Sequence, residues 1–176
     1  MSSLSIFHLE MLSPGQLRPK PEVPGLEVKE AELKQFRFNR YLYQLVGEQW
    51  QWTDMLSWSD AQWQEHAESD TLRTWVAYYR GSIAGYYELQ RQTHNTVELL
   101  YFGLAPGFIG QGFGGYLLSH AISSAWAWGD VDRVWVHTCS LDHPSALRNY
   151  QARGFELFQT ETQNPPDDTP AGDRQL

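Results

Sequence analysis

Residues 97–118 read VELLYFGLAPGFIGQGFGGYLL. The opening Val97–Phe102 is apolar apart from Glu98, and it reads as a strand. Six of the chain's 14 glycines then fall between Gly103 and Gly115, and a helix follows from about Gly112 to Trp128. Glycines in such a junction let the backbone turn tightly and approach a ligand. A strand that runs through them into a helix N-terminus presents unpaired amides and the positive end of a helix dipole, which suits a phosphate. Two familiar phosphate motifs fail here. A P-loop closes with Gly-Lys-Ser/Thr, where this chain has Gly114-Gly115-Tyr116. Gly110, Gly112 and Gly115 satisfy G-x-G-x-x-G literally, but that fingerprint belongs directly after the first strand of a parallel unit. Gly110 instead comes eight positions after Phe102, beyond Pro106, and a run of meander strands precedes it.

Working outward, Ser5–Leu12 reads as a first strand and the proline-rich Pro14–Gly25 as a loop. Glu30–Val46 carries apolar residues at helical spacing, including Leu33, Phe36, Tyr41 and Leu45, and Gly47 can end that helix. Ser59-Asp60-Ala61-Gln62 has the form of a capping box opening a second helix. Thr71–Arg80, Gly81-Ser82 and Ile83–Gln90 form a hairpin signal, and Thr96–Phe102 adds a third strand. Arg133–Cys139 predicts a strand, Pro144–Arg153 a short helix and Phe155–Thr160 a last strand. The order predicts one mixed α/β domain over residues 1–163, with a flexible C-terminal tail over 164–176. The helix before Arg133 is long enough for a parallel crossover.

Composition narrows the function. With 176 residues and 41% hydrophobic content, the chain has material for a single core. Thirteen Lys and Arg against 21 Asp and Glu give a net charge of −8. That balance argues against nucleic acid, whose phosphates need clustered cations, and suits a cationic partner such as a protonated amine. Cys139 is the sole cysteine, so no internal disulfide forms and a reducing cytoplasm is the expected location. No apolar stretch reaches the length of a membrane span, and no signal peptide is evident.

A second segment, Asn149-Tyr150-Gln151-Ala152-Arg153-Gly154-Phe155, adds to the first. Together with 97–118 it resembles the GNAT acetyltransferase superfamily: a strand, a glycine loop for the CoA pyrophosphate with paired glycines at Gly112 and Gly114, a helix, and a Y-x-x-x-G-F element. The resemblance covers roughly Thr71 to Thr160. It implies the GNAT fold, a central mostly antiparallel sheet with helices on both faces. It also implies an N-acetyltransferase that moves an acetyl group from acetyl-CoA to a primary amine by direct transfer in a ternary complex, without a metal. The implied CoA-binding residues are Phe102, Gly103, Leu104, Phe108, Ile109, Gly110, Gln111, Gly112, Phe113, Gly114 and Gly115. One departure stands out. The family usually has Arg or Gln three positions before the first paired glycine, and this chain has Ile109. That motivates the alternative of a non-catalytic acyl-CoA-binding sensor or degenerate GNAT domain. The acceptor, a small molecule or a peptide amine, is left open, as is the choice between monomer and homodimer.

Catalytic candidates follow from the chemistry. An amine with a pKa near 10.4 is free at neutral pH in only about one molecule per thousand, so its proton needs a route. Glu98 stands where the protein-acetylating branch of the family carries its glutamate base. Its other reading is an outward-facing strand residue. Strict alternation predicts Glu98, Leu100 and Phe102 on one face of the strand, with Leu99, Tyr101 and Gly103 on the other. The family's strand bulge implies a free amide near Gly103 or Leu104 for the acetyl carbonyl. Tyr150 matches the tyrosine that protonates the departing thiolate, or else it packs in the core. His137, Trp50 and Trp52 are candidates for the acceptor side, with Glu48 and Asp54 able to hold an ammonium. Cys139 beside His137 or His143 raises a covalent alternative, although a strand-end cysteine is usually simply buried.

Overall fold

The computed structural model describes residues 3–164. Residues 165–176 of the expected tail lie outside the described residues. A seven-stranded sheet runs through the chain in the order β2-β3-β4-β5-β6-β1-β7. Its strands are β1 (Leu4–Met11), β2 (Leu26–Glu30), β3 (Leu72–Tyr79), β4 (Ser82–Gln92), β5 (Thr96–Leu104), β6 (Arg133–Cys139) and β7 (Glu156–Gln163). The helices are α1 (Phe36–Gly47), α2 (Asp60–Ala67), α3 (Phe113–Trp126) and α4 (Ala146–Ala152). Every strand pairing is antiparallel except β5 with β6. That parallel pair is joined through α3, as a crossover requires. No helix among the described residues is long and apolar enough to cross a membrane.

Helices cover both faces. On one, Leu117, Leu118, Ile122 and Ala125 of α3 and Tyr150 of α4 join Leu9, Met11, Leu89, Val97, Leu99, Val134 and Val136 in the larger core. On the other, α1 and α2 seal Leu72, Val76 and Tyr86 with Phe36, Leu42, Tyr43, Val46 and Trp63.

Most predicted elements appear, and the exceptions have local causes. The capping box forms as expected: Ser59 accepts from the Gln62 amide and Gln62 reaches back to the Ser59 amide. The hairpin turns at Arg80 (φ 50°) and Gly81 (φ 83°), both in the left-handed region that a tight hairpin turn demands. The first helix starts at Phe36, six residues later than expected. Residues 31–35 form a connection, and Glu30, the expected start of the helix, is the last residue of β2, which pairs with β3 from Leu26 to Glu30. Leu33, expected on the apolar stripe, is 86% exposed in the connection, and Tyr41 is exposed on the outer face. The buried face is Phe36, Asn39, Leu42, Tyr43 and Val46.

The strand before the glycine loop departs from strict alternation. Glu88 pairs with Tyr101 and Leu89 with Leu99, which leaves Leu100 as the extra residue of a β-bulge. Up to Leu99 the side chains alternate as predicted. Beyond the bulge they swap faces. Tyr101 packs against Tyr43 and Trp52 on the α1 side, and a Cβ on Gly103 would run into Val46 of α1. Phe102 therefore sits with Leu99, not with Glu98, and meets Tyr150 of α4 at 6.2 Å between ring centroids. The bulge lies upstream of Gly103 and Leu104.

Candidate functional site

The parallel pairing of β5 with β6 is short. It runs from Thr96↔Arg133 to Glu98↔Trp135 and stops. Beyond Glu98 the two strands splay, so the β6-facing amides of the rest of β5 have no ladder partner there. The gap between them opens into a cavity of about 900 Å³. β5 and β6 form its walls, the glycine loop and α4 close one end, and the segment after α1 closes the other.

At the glycine end, Gly112 is the N-cap of α3 with φ 84°, and Gly110 has φ 79°. Side chains rarely adopt these conformations. A Cβ built on either residue would meet nothing within 4 Å, so the space in front of the loop is open. Ile109, Gly110, Gly112, Gly114 and Gly115 all line the cavity, as do Phe102, Gly103 and Leu104. Three of the residues expected to bind the cofactor do not. Phe108 packs with Tyr79 and Phe113, Phe113 is buried in the core, and Gln111 donates to the Gly107 carbonyl at 2.8 Å.

Two cations that the sequence reading passed over stand at this end. Arg153 and Lys20 both line the cavity, and a Cβ on Gly115 would lie 2.8 Å from Arg153 Nη1 and 3.0 Å from Lys20 Cγ. Arg153 is 8% exposed, and its Nε has no partner among the described residues. Lys20 is held by its own amide, which donates to Ser119 Oγ on α3.

In the middle, His137 on β6 faces the cavity with its side chain 46% exposed. Its Nδ1 lies 3.0 Å from Glu98 Oε1. Glu98 is buried behind it, and its second oxygen accepts from Gln92 Nε2 at 2.7 Å. Of the two readings of Glu98, the outward-facing strand residue is the one the burial removes. The Glu98 carboxylate raises the His137 pKa through this hydrogen bond, against the pull of burial. Tyr150 reaches the cavity from α4, and burial pushes its phenol well above the ordinary value, with Asp142 adding to the effect. Cys139 lines the cavity too, but burial raises its thiol pKa. That leaves it a poor nucleophile.

The far end is aromatic and acidic. Tyr43, Trp50, Trp52, Asp54, Tyr101, Asp142 and His143 line it. The Trp52 indole N–H donates to Asp142 Oδ1 at 3.1 Å, and Trp50 meets His143 edge-on at 4.9 Å. Asp142 is fixed in turn by Thr138 Oγ1 at 2.6 Å and the Cys139 amide at 2.9 Å. Asp54 is exposed and lines the opening; Glu48 does not. The structure thus brings Trp50, Trp52, His137, Tyr150 and the glycines to one cavity and holds Glu98 one residue behind it.

The same arrangement of strands and helices occurs in known acetyltransferases. A GCN5-related N-acetyltransferase from Sphaerobacter thermophilus superposes with a TM-score of 0.70 at 14% identity over 92% of this chain and 51% of that one. An IAA acetyltransferase from Bacillus cereus gives 0.57 at 24% identity, covering 76% of this chain and 79% of that one. An aminoglycoside acetyltransferase from an uncultured soil metagenomic sample gives 0.60 at 14% identity, covering 86% and 92%. These likenesses establish the fold. The chain spans 51%, 56% and 59% of the length of three of the solved structures it resembles. No curated protein matches the sequence. The model of the Acetyltransferase (GNAT) family matches residues 39–155, two thirds of the chain, from α1 through the Tyr150 helix. The chain belongs to the GNAT acetyltransferase family, and its sheet and helices have the GNAT fold.

Proposed function

We propose that the protein transfers an acetyl group from acetyl-CoA to a primary amine by direct attack within a ternary complex. The observation that carries this reading is the splayed β5–β6 gap, with a glycine cradle at one end and an acidic aromatic recess at the other. The residues fit the donor. Left-handed glycines and the first turn of α3 leave open space in front of helical amides, where a diphosphate would be held.

Acetyl-CoA supplies the thioester whose acyl carbon the amine attacks. An amide at the unpaired edge of β5 polarises the thioester carbonyl, an oxyanion-type contact. His137, oriented by Glu98, takes the proton from the amine nitrogen, directly or through one water, as the N–C bond forms and the C–S bond breaks. Tyr150 Oη gives its proton to the departing sulfur, and burial keeps that phenol protonated until then. The raised Cys139 thiol disfavours an acyl-cysteine route. Asp54 and Asp142 give the recess a negative character that draws an ammonium, and Trp50, Trp52 and Tyr101 offer ring faces to its organic part.

The experiment is a coupled assay for CoA release with acetyl-CoA and a panel of aliphatic, aromatic and peptide amines. Amine-dependent release supports the proposal. Ile109 favours a second reading, an acyl-CoA sensor. Acetyl-CoA raising the melting temperature while no amine accelerates release would select that one.

A further inference from the structure

Arg153 is an unusual residue for its surroundings. It is 8% exposed, its Nε is buried without a partner, and no carboxylate among the described residues forms an ion pair with it. The protein carries 21 acidic residues against 13 Lys and Arg, so counter-ions are plentiful elsewhere. A buried guanidinium left without one is costly, and it persists where something supplies the missing charge. Its position says what. Arg153 ends α4, one turn after Tyr150, and its Nη1 lies against Gly115 in the first turn of α3. Asn149, one turn earlier, donates to the Gly114 carbonyl at 3.3 Å and fixes α4 against that same turn. Lys20 comes in from the residue 14–25 loop, which is tied to α4 by the Arg18 amide donating to the Arg153 carbonyl at 2.8 Å, and its own amide is anchored on Ser119. Two cations and the positive end of a 14-residue helix thus face the same stretch of cavity.

We infer that Arg153, assisted by Lys20, binds a phosphate of the ligand at the N-terminus of α3 and replaces the side-chain contact that Ile109 does not provide. The fork of a guanidinium suits two phosphate oxygens at once. Attraction then comes from α4 and the residue 14–25 loop, against Gly115, and not from the glycine loop itself. This inference takes only the identity of the ligand, CoA, from the proposed function.

The test measures the affinity of the full chain for CoA, 3′-dephospho-CoA, inorganic diphosphate and phosphate-free pantetheine. Arg153→Gln should weaken CoA and diphosphate by about tenfold to a hundredfold, the worth of a hydrogen bond to a charged group, and leave pantetheine unchanged. Equal loss for CoA and 3′-dephospho-CoA places the contact on the diphosphate. Loss confined to CoA places it on the 3′-phosphate. CoA binding equally to wild type and Arg153→Gln overturns the inference and leaves the acyltransferase reading standing. Diphosphate protecting the wild type but not the variant, with CoA adding nothing, keeps the anion site and removes that reading. If Arg153→Gln does not fold, Lys20→Gln at its exposed position decides: unchanged diphosphate affinity at low salt sinks the proposal, and a severalfold loss that fades with added salt supports it.

Discussion

Glu98 Oε1 sits 3.0 Å from Nδ1 of His137, which links the last paired residue of β5 to a residue two places beyond the end of the parallel ladder on β6. The carboxylate is buried and the imidazole is open to the cavity, so in the proposed mechanism His137 is the group that meets the amine. Replacing His137 with Ala should lower kcat by about 10²–10⁴, the usual worth of a positioned base. Glu98→Gln should move the His137 pKa down, because the carboxylate is what raises it. The acidic limb of the kcat/KM profile would then shift to lower pH, and an NMR titration of the ring would follow it. A limb that stays in place removes the pair from catalysis.

The same pair makes a stability prediction. A histidine whose folded-state pKa is raised stabilises the fold fully below its unfolded value, about 6.5, and loses that contribution as pH rises through the folded value. Urea midpoints of the wild type should therefore fall between pH 6 and pH 8 by more than those of Glu98→Gln.

Tyr150→Phe keeps the ring contacts with Phe102 and Phe155 and removes the hydroxyl. Turnover should drop by about 10² or more while KM for acetyl-CoA holds. A fully active variant would return Tyr150 to packing alone.

Two glycines separate binding from folding. Gly112→Ala meets no neighbour but strains a left-handed residue, at about 1–2 kcal/mol. Its chief effect should be a higher KM for acetyl-CoA, because the new methyl enters the open space of the cradle. Gly154→Ala, at φ 110° and against the backbone carbonyl of Gln16, should cost about 2 kcal/mol or more. That corresponds to roughly 4–8 °C in Tm. Thermal unfolding beside steady-state kinetics checks both.

Trp52→Phe removes the indole donor to Asp142 and retains a ring. It should raise KM for the amine and leave KM for acetyl-CoA alone. Equal changes in both constants would mean that Trp52 supports the whole cavity and not its acceptor end.

Features set by neighbouring residues were legible in the sequence. The Ser59–Gln62 box and the Arg80-Gly81 turn need only local chemistry, and the glycine cradle shows in composition alone. What depends on distant partners was not. Nothing in VELLYF marks Leu100 as a bulge, because the extra residue is defined by its register against Glu88 and Leu89 on β4. β2 was hidden because its apolar/polar alternation, Leu26 to Glu30, is only five residues long and runs straight into the helical pattern that follows. These residues become a strand through pairing with β3. Arg153 lay inside a recognised motif yet drew no attention, since its lack of a counter-ion exists only once α4 lies on α3. Glu98 is visible in the sequence as the one acid in an apolar run, but its burial and its partner are not, because His137 comes from 39 residues downstream.

The place of β1 in the sheet has a consequence for how the protein is made. Residue 9 lies between residue 136 on one side and residue 157 on the other. β1 must therefore wait for both of its partners until β6 and β7 have been synthesised. The β2–β5 half can assemble meanwhile, since its partners are close in sequence. A nascent chain stalled before β6 would have neither the second wall of the gap nor the Asn149 contact to Gly114. The cavity between β5 and β6 thus takes shape only after the β2–β5 half is already paired.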